Sequence, residues 1–180
     1  YWLANKKLIT QNIDGLDGRA GNTDYISIHG RLDKVVHYRN EIDKQFPFDA
    51  NWDEIDMSSN PSDDILKEKL LYKFKIGMDG NSFNLKNGIS LKPYVLLFDE
   101  IYTDLYRISE AEEWMKRAYK MIFIGTSFSV NITSIALRAA TSRGIDIEIV
   151  DPDPIKLDYE NVEYFQMTAE KYCEMRELKS

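Results

Sequence analysis

The chain has 180 residues, 43% of them hydrophobic and 29% charged. That describes about one globular domain able to bury a real core, and it speaks against global disorder. The formal net charge of -7 argues against a nucleic-acid surface built on charge, which needs clustered Lys and Arg, whereas a mildly acidic surface suits basic, lysine-containing partners.

Tyr1-Trp2-Leu3 reads as the tail of an element already under way, so the chain is expected to enter its domain partway. Lys7 to Thr10 is a short apolar strand leading into a polar, glycine-containing segment. Tyr25 to Ile28 is a second short strand, ending at His29-Gly30. From 37 to 88 the composition turns to Asp, Glu, Asn and Ser, with Pro47 and Pro61 as breakers. One helix is expected there, from Ser62 to Phe74, because Ser62-Asp63-Asp64 offers an N-cap and first-turn acids. The stretch reads as a small subdomain inserted between two parts of a core, 1–36 and 89–180.

Tyr94 to Phe98 is a continuous apolar run of the kind buried on both faces of a parallel sheet. Ser109 caps a helix whose acids (Glu110, Glu112, Glu113) come early and whose bases (Lys116, Arg117, Lys120) come late, in agreement with the helix dipole. Met121 to Ile124 is a strand ending at Gly125-Thr126-Ser127, and a helix from Ile132 to Arg143 is stopped by Gly144. Ile145 to Val150 is a strand ending at Asp151-Pro152, and a last helix runs from Ala169 to Leu178. This alternation predicts an α/β fold, a Rossmann-like doubly wound parallel sheet carrying the small inserted subdomain. No internal repeat is visible. The single cysteine, Cys173, excludes a disulfide framework or multi-thiolate metal site within the chain and fits an intracellular, reducing setting. No apolar run reaches the ~18 residues of a membrane span, and no signal peptide is visible.

Ligands of open parallel sheets collect at the carboxyl ends of the strands. Four segments place small or polar residues there: Gln11 to Gly15, His29-Gly30, Gly125 to Ser127, and Asp151. A glycine followed by two hydroxyl residues suits phosphate or ribose, and an acid at a later strand end suits ribose hydroxyls. Taken singly, each has a plainer reading as a turn, a helix cap or a loop opener.

In order and together they are far more specific. Leu8-Ile9-Thr10-Gln11-Asn12-Ile13-Asp14-Gly15-Leu16, followed by Ala20-Gly21, resembles the signature segment of the sirtuin (Sir2) family. Ile26 to Gly30 resembles the family's catalytic His-Gly strand, Leu91 to Glu100 its substrate-binding strand, and Ile124 to Val130 its Gly-Thr-Ser nucleotide loop. The resemblance covers residues 3 to 40 and 84 to 172, in the family's order and with about its spacing. It implies an NAD-dependent protein lysine deacylase, in which nicotinamide is expelled and the acyl group of a modified lysine passes to ADP-ribose. It further implies that His29 is the general base, for which an imidazole near its ordinary pKa is poised, with Asn12 beside it in the catalytic group. Gln11, Asn12, Asp14, Gly125, Thr126, Ser127 and Asp151 match cofactor-binding positions. Val95, Phe98, Asp99, Glu100 and Val130 match positions that meet the acyl-lysine protein substrate by strand addition.

Several positions depart from the family's pattern. Asp17 replaces a common histidine, Asp99 a glycine, and Asp151 an asparagine. The family's four zinc cysteines align with His37, Asn40, Asn84 and Asn87, a poor ligand set, so no metal is expected. The subdomain is then expected to rest on its own packing through Phe46, Phe48, Trp52, Leu70 and Phe74. The family's first strand and Gly-Ala-Gly phosphate loop have no counterpart after Tyr1, so a preceding segment or a partner chain is expected to complete the site. Two other readings stand beside the deacylase: an NAD glycohydrolase or ADP-ribosyltransferase, and an inactive sirtuin-like structural subunit of a larger complex.

Overall fold

The computed structural model describes residues 6–39, 46–55 and 61–177. The chain divides into two compact units, one of residues 8–108 and one of residues 1–7 with 109–180. The segment 37–88 lies within the first of these.

In the 8–108 unit, β1 (Leu8–Thr10) pairs in parallel with β2 (Tyr25–Ser27), in register Leu8↔Tyr25 through Thr10↔Ser27. A short helix, α1 (Leu16–Arg19), lies between them. The chain then runs straight into β3 (Gly30–His37), the central strand of a three-stranded antiparallel sheet with β4 (Phe48–Asp49) and the later β7 (Leu91–Val95). Between them come α2 (Asp63–Lys73) and the hairpin of β5 (Gly77–Asp79) and β6 (Ser82–Asn84). Successive strand residues face opposite sides of a sheet. Val35 and Val36 accordingly feed two separate cores. Val35 packs with Ala50 and Phe74, lined by Leu70, Ile76 and Leu91. Val36 packs with Tyr94 and Tyr106, lined by Leu96 and Leu105.

Of the residues expected to hold the subdomain, Phe74 and Leu70 do so, and Trp52 sits 5.8 Å from the Phe74 ring with its indole N–H on the Leu32 carbonyl. Phe46 does not; it is 88% exposed. Phe48 is exposed on short β4, its ring 5.4 Å from that of His37. Ser62 occupies the N-cap position of α2 but makes no side-chain capping bond.

The apolar run Tyr94–Phe98 is not a parallel strand buried on both faces. The strand is Leu91–Val95, antiparallel to β3 and at the sheet edge, where Pro93, lacking an N–H, is tolerated. Past Val95 the chain turns away, leaving Leu97 half exposed and Phe98 wholly so.

The second unit opens with α3 (Ile108–Arg117), which starts one residue before Ser109, so Ser109 is inside the helix rather than its cap. Three parallel strands follow, β8 (Lys120–Ile124), β9 (Asp146–Val150) and β10 (Val162–Phe165), in the order β10-β9-β8. α4 (Asn131–Thr141) connects the first two, burying Ile132, Thr133, Ala136, Leu137 and Ala140 on one helical face. α5 (Ala169–Glu177) closes the unit and buries Tyr172. Central β9 is buried from Ile147 to Val150, including Glu148, whose side chain is 2% exposed. The Glu148 carboxylate accepts from Lys120 Nζ at 2.6 Å, from the Tyr172 hydroxyl and from the Arg176 guanidinium. Burial pushes this carboxyl up, and the three donors outweigh it, leaving its pKa below the usual value.

No helix among the described residues is long and apolar enough to cross a membrane.

Candidate active site

The polar segments after β1 and β2 leave the same edge of one parallel pair. The Ile28 N–H donates to the Thr10 carbonyl at 3.0 Å, which extends the pairing by a residue and sets Ile28-His29 beside Gln11-Asn12. The Asn12 N–H turns back onto Thr10 Oγ1 at 3.2 Å, and the Ile13 carbonyl accepts from Leu32 N–H at 2.8 Å, fastening this loop to β3. Asp14 is exposed, and its Oδ1 accepts from the Leu16 N–H at 2.9 Å, an Asx turn that starts α1. Gly15 supplies the left-handed φ of 71° that this tight reversal requires. Asp17 belongs to α1, and its carbonyl accepts from Asn22.

His29 lies two residues past β2, in the turn that leads into β3, and is half-buried. Its Nε2 lies 2.7 Å from the Tyr102 hydroxyl, and the two rings stack with centroids 5.8 Å apart and planes 25° apart. Burial lowers the imidazole below its ordinary pKa, and a main-chain bond to Gln11 works the other way without cancelling it. The expectation of an unperturbed imidazole is therefore corrected. The neutral, proton-accepting form dominates at neutral pH, because desolvation penalises the charged ring.

Gly30 lets β3 pass against β7. With φ of 81°, a Cβ placed there would lie 2.0 Å from the Tyr94 carbonyl oxygen. The Leu96 N–H then donates to the His29 carbonyl at 2.9 Å, tying the end of β7 to the histidine itself. Beyond it, Glu100 organises the loop. Its carboxylate accepts from Lys92, from the Leu97 N–H at 3.1 Å and from the Tyr106 hydroxyl at 3.3 Å. Burial raises this carboxyl, and the donors, Lys92 foremost, bring it below its usual value, while burial and Glu100 drive the Tyr106 phenol well up. Tyr94 stacks on Tyr106 at 5.3 Å and donates its hydroxyl to the Leu105 carbonyl. Arg107 donates to the Tyr25 carbonyl at 2.8 Å, fixing the loop's far end to β2.

Gln11, Asn12, Asp14 and His29 are thus gathered with Val95 and the Phe98-Asp99-Glu100 loop in one unit. Glu100 spends its carboxylate on the loop rather than pointing outward. Tyr102, Arg107 and Lys92 were not foreseen, and no local pattern marks them.

The second unit carries the other polar set on the carboxyl edge of its sheet. The Gly125 N–H donates to the Val150 carbonyl at 3.0 Å, and the Asp151 N–H to the Phe165 carbonyl at 3.2 Å, so Gly125 and Asp151 are neighbours across adjacent strand ends. Gly125 has φ of 61°, and nothing lies within 4 Å of where its Cβ would be. Thr126 Oγ1 accepts from the Phe128 N–H, and the Ser127 and Ser129 hydroxyls share a 2.7 Å bond. Val130 is the N-cap of α4, which has no side-chain cap. Asp151 Oδ1 accepts from the Asp153 N–H at 2.8 Å. An open glycine with hydroxyls at the edge of a parallel sheet fits a sugar-phosphate group.

At the aligned zinc positions, His37 ends β3 with its Nδ1 buried and without a hydrogen-bond partner, Asn84 and Asn87 are exposed, and Asn40 lies outside the described residues.

Two compact units, one with a parallel sheet whose carboxyl edge is polar and one presenting a histidine among amides and a carboxylate, define an α/β protein with a sirtuin-like fold. The Sir2 family profile matches residues 3–132, and the chain belongs to that family. The NAD-dependent protein deacylase of Bacteroides thetaiotaomicron is 26% identical over 151 residues, 84% of this chain and 53% of that protein. NAD-dependent protein deacylase 1 of Caldanaerobacter subterraneus subsp. tengcongensis is 28% identical over 170 residues, 94% of this chain and 59% of that protein. A solved structure of Sir2 with a p53 peptide and NAD+ superposes with a TM-score of 0.64 at 20% identity, covering 97% of this chain and 62% of that one. That likeness concerns the fold. The chain spans between half and three fifths of the length of these two curated relatives.

Proposed function

We propose that this chain is the catalytic portion of a sirtuin-type, NAD-dependent protein lysine deacylase. The observation that carries the reading is the meeting of Gln11, Asn12 and His29 at one edge of the β1–β2 pair, locked by the Ile28–Thr10 bond. NAD, as co-substrate, supplies a ribose activated by its nicotinamide leaving group and able to receive the acyl group.

The chain's own residues then have separable tasks. His29 accepts a ribose hydroxyl proton at Nε2, and its lowered pKa keeps it in the base form. The Gln11 and Asn12 amides orient the ribose, and the Asp14 carboxylate, braced by Leu16 N–H, faces the nicotinamide amide. Gly125, Thr126 and Ser127 hold ribose and phosphate with main-chain and hydroxyl groups, and Asp151 accepts from adenosine ribose hydroxyls. An intracellular acyl-lysine protein docks by strand addition along Val95 to Glu100, with Val130 also at the substrate; β7 is an edge strand, and fully exposed Phe98 offers an apolar contact. In this reading Glu100 serves the substrate indirectly, by shaping the loop. A segment or partner carrying a phosphate-binding loop completes the cradle.

The test is nicotinamide release by the intact protein given NAD, with and without an acyl-lysine peptide. Release that requires the peptide is the expected result. Peptide-independent release would make the protein a glycohydrolase, and no release together with no calorimetric NAD binding would make it a structural subunit.

A further inference from the structure

We propose that Tyr102 is a positioning residue for His29, its hydroxyl fixing the tautomer and its ring the plane of the catalytic imidazole. The assignment deepens the deacylase reading and rests on His29 being its base.

The geometry is specific. A 2.7 Å contact joins Nε2 to the Tyr102 hydroxyl, and the rings stack at 25°. Either alone could arise from a loop side chain resting on a neighbour. Here the loop is built to present it. Leu96 N–H on the His29 carbonyl ties down one side of the segment, Glu100 binds Leu97 N–H, Lys92 and Tyr106, and Arg107 reaches the Tyr25 carbonyl on the other side. Tyr102 lies between these anchors, 73 residues from His29 in the chain.

The proton count gives the direction of the bond. A neutral imidazole has one N–H. The main-chain bond to Gln11 favours the protonated ring, as a carbonyl acceptor does. The base role assigned to Nε2, the nitrogen facing Tyr102, requires that nitrogen to be bare, which leaves the single ring N–H on Nδ1. The Tyr102 hydroxyl then donates to Nε2. That arrangement keeps the lone pair on the nitrogen that must take a proton, and the stacked ring resists a flip about the Cβ–Cγ bond that would put Cε1 in the place of Nε2. When a substrate hydroxyl arrives, it replaces the tyrosine hydroxyl at a nitrogen already in the right tautomer and orientation.

Two readouts test this. Nitrogen-15 NMR of the His29 ring, which needs no substrate, should show one Nδ1-protonated tautomer at neutral pH. Tyr102→Phe, which keeps the stack, should yield a mixed population, and Tyr102→Leu a broader one. In turnover, Tyr102→Phe should lower kcat by roughly 10-fold with the peptide KM unchanged, a fraction of the roughly 10²–10⁴-fold that an acid–base group contributes. A merely structural tyrosine would leave the nitrogen shifts alone in any variant that melts like the wild type. Unchanged His29 shifts and unchanged kcat in Tyr102→Phe overturn the proposal. Altered shifts in a protein without peptide-dependent turnover would uphold the Tyr102–His29 coupling and sink the deacylase reading, so the two failures are distinguishable.

Discussion

Gly30→Ala is the most informative single-atom perturbation of this fold. The residue sits directly after His29 with φ of 81°, where the added methyl would lie 2.0 Å from the Tyr94 oxygen, 2.8 Å from the Tyr94 carbon and 3.1 Å from Val95 Cα. All three are backbone atoms, so no side chain can swing aside. A left-handed conformation costs an L-residue about 1–2 kcal/mol. Relieving the clash also separates Gly30 from its partner Val95 and strains the Leu96–His29 bond. At about 0.5–1.5 kcal/mol for each of one or two hydrogen bonds, the total comes to about 1.5–5 kcal/mol. For a chain of this size that lowers Tm by roughly 3–20 °C. Gly125→Ala is the matched control: φ is similar at 61°, but nothing lies within 4 Å of the new methyl, so only the left-handed cost of about 1–2 kcal/mol remains. Thermal melts followed by circular dichroism read both. Equal melting temperatures for the two variants would refute the claim that β3 and β7 close tightly behind the histidine.

Glu148→Gln removes the buried charge facing Lys120 and Arg176, which are themselves 30% and 21% exposed and can turn to solvent. Breaking a fully buried pair costs about 3–5 kcal/mol, and the solvent access reduces this to about 1–3 kcal/mol, measurable by urea titration. Because the folded carboxyl lies below its ordinary value of 4.5, its stabilisation is full above that pH and lost as pH falls through the folded value. Glu148→Gln should flatten that acid slope. His29 titrates in the same sense for a different reason: its folded pKa lies below 6.5, so as pH falls below 6.5 the unfolded chain protonates first and stability declines. The acid limb of kcat/KM should accordingly have its midpoint below 6.5, and a midpoint above that value would contradict the burial of the base. Lys92→Met frees Glu100 and loosens the 97–106 loop, and it should raise the peptide KM several-fold with little change in NAD binding, as measured by steady-state kinetics and calorimetry.

What was legible in the chain was what local pattern encodes. Leu8–Thr10 and Tyr25–Ser27 read correctly because each is a short run dominated by β-favouring residues, Leu-Ile-Thr and Tyr-Ile-Ser, followed by a polar segment. Lys120–Ile124, Asn131–Thr141 and Asp146–Val150 read correctly because period and punctuation agree. β3 escaped notice because Arg31, Asp33 and Lys34 interrupt its apolar residues, and its pairing with β4 and β7 is non-local. β7 was misframed by an apolar run that continues past the point where Glu100 pulls the chain out of the sheet. The site divides in the same way. Gln11, Asn12, Asp14, His29 and the Gly125–Ser127 turn stand at strand ends, where sequence order reports position. Tyr102 does not, because it meets His29 only through tertiary folding, 73 residues away, and the core donors to Glu148, 24 to 28 residues from it, are hidden from local pattern for the same reason.

The reaction proposed for this chain is acyl transfer to ADP-ribose with His29 as base. Mass spectrometry of the products formed by the intact protein from NAD and an acetyl-lysine peptide tests it most directly. Free lysine peptide, nicotinamide and an ADP-ribose heavier by one acetyl group are expected in equal amounts, with that last product lost in His29→Tyr. Plain ADP-ribose with the peptide still acetylated, or undiminished product from His29→Tyr, would contradict it.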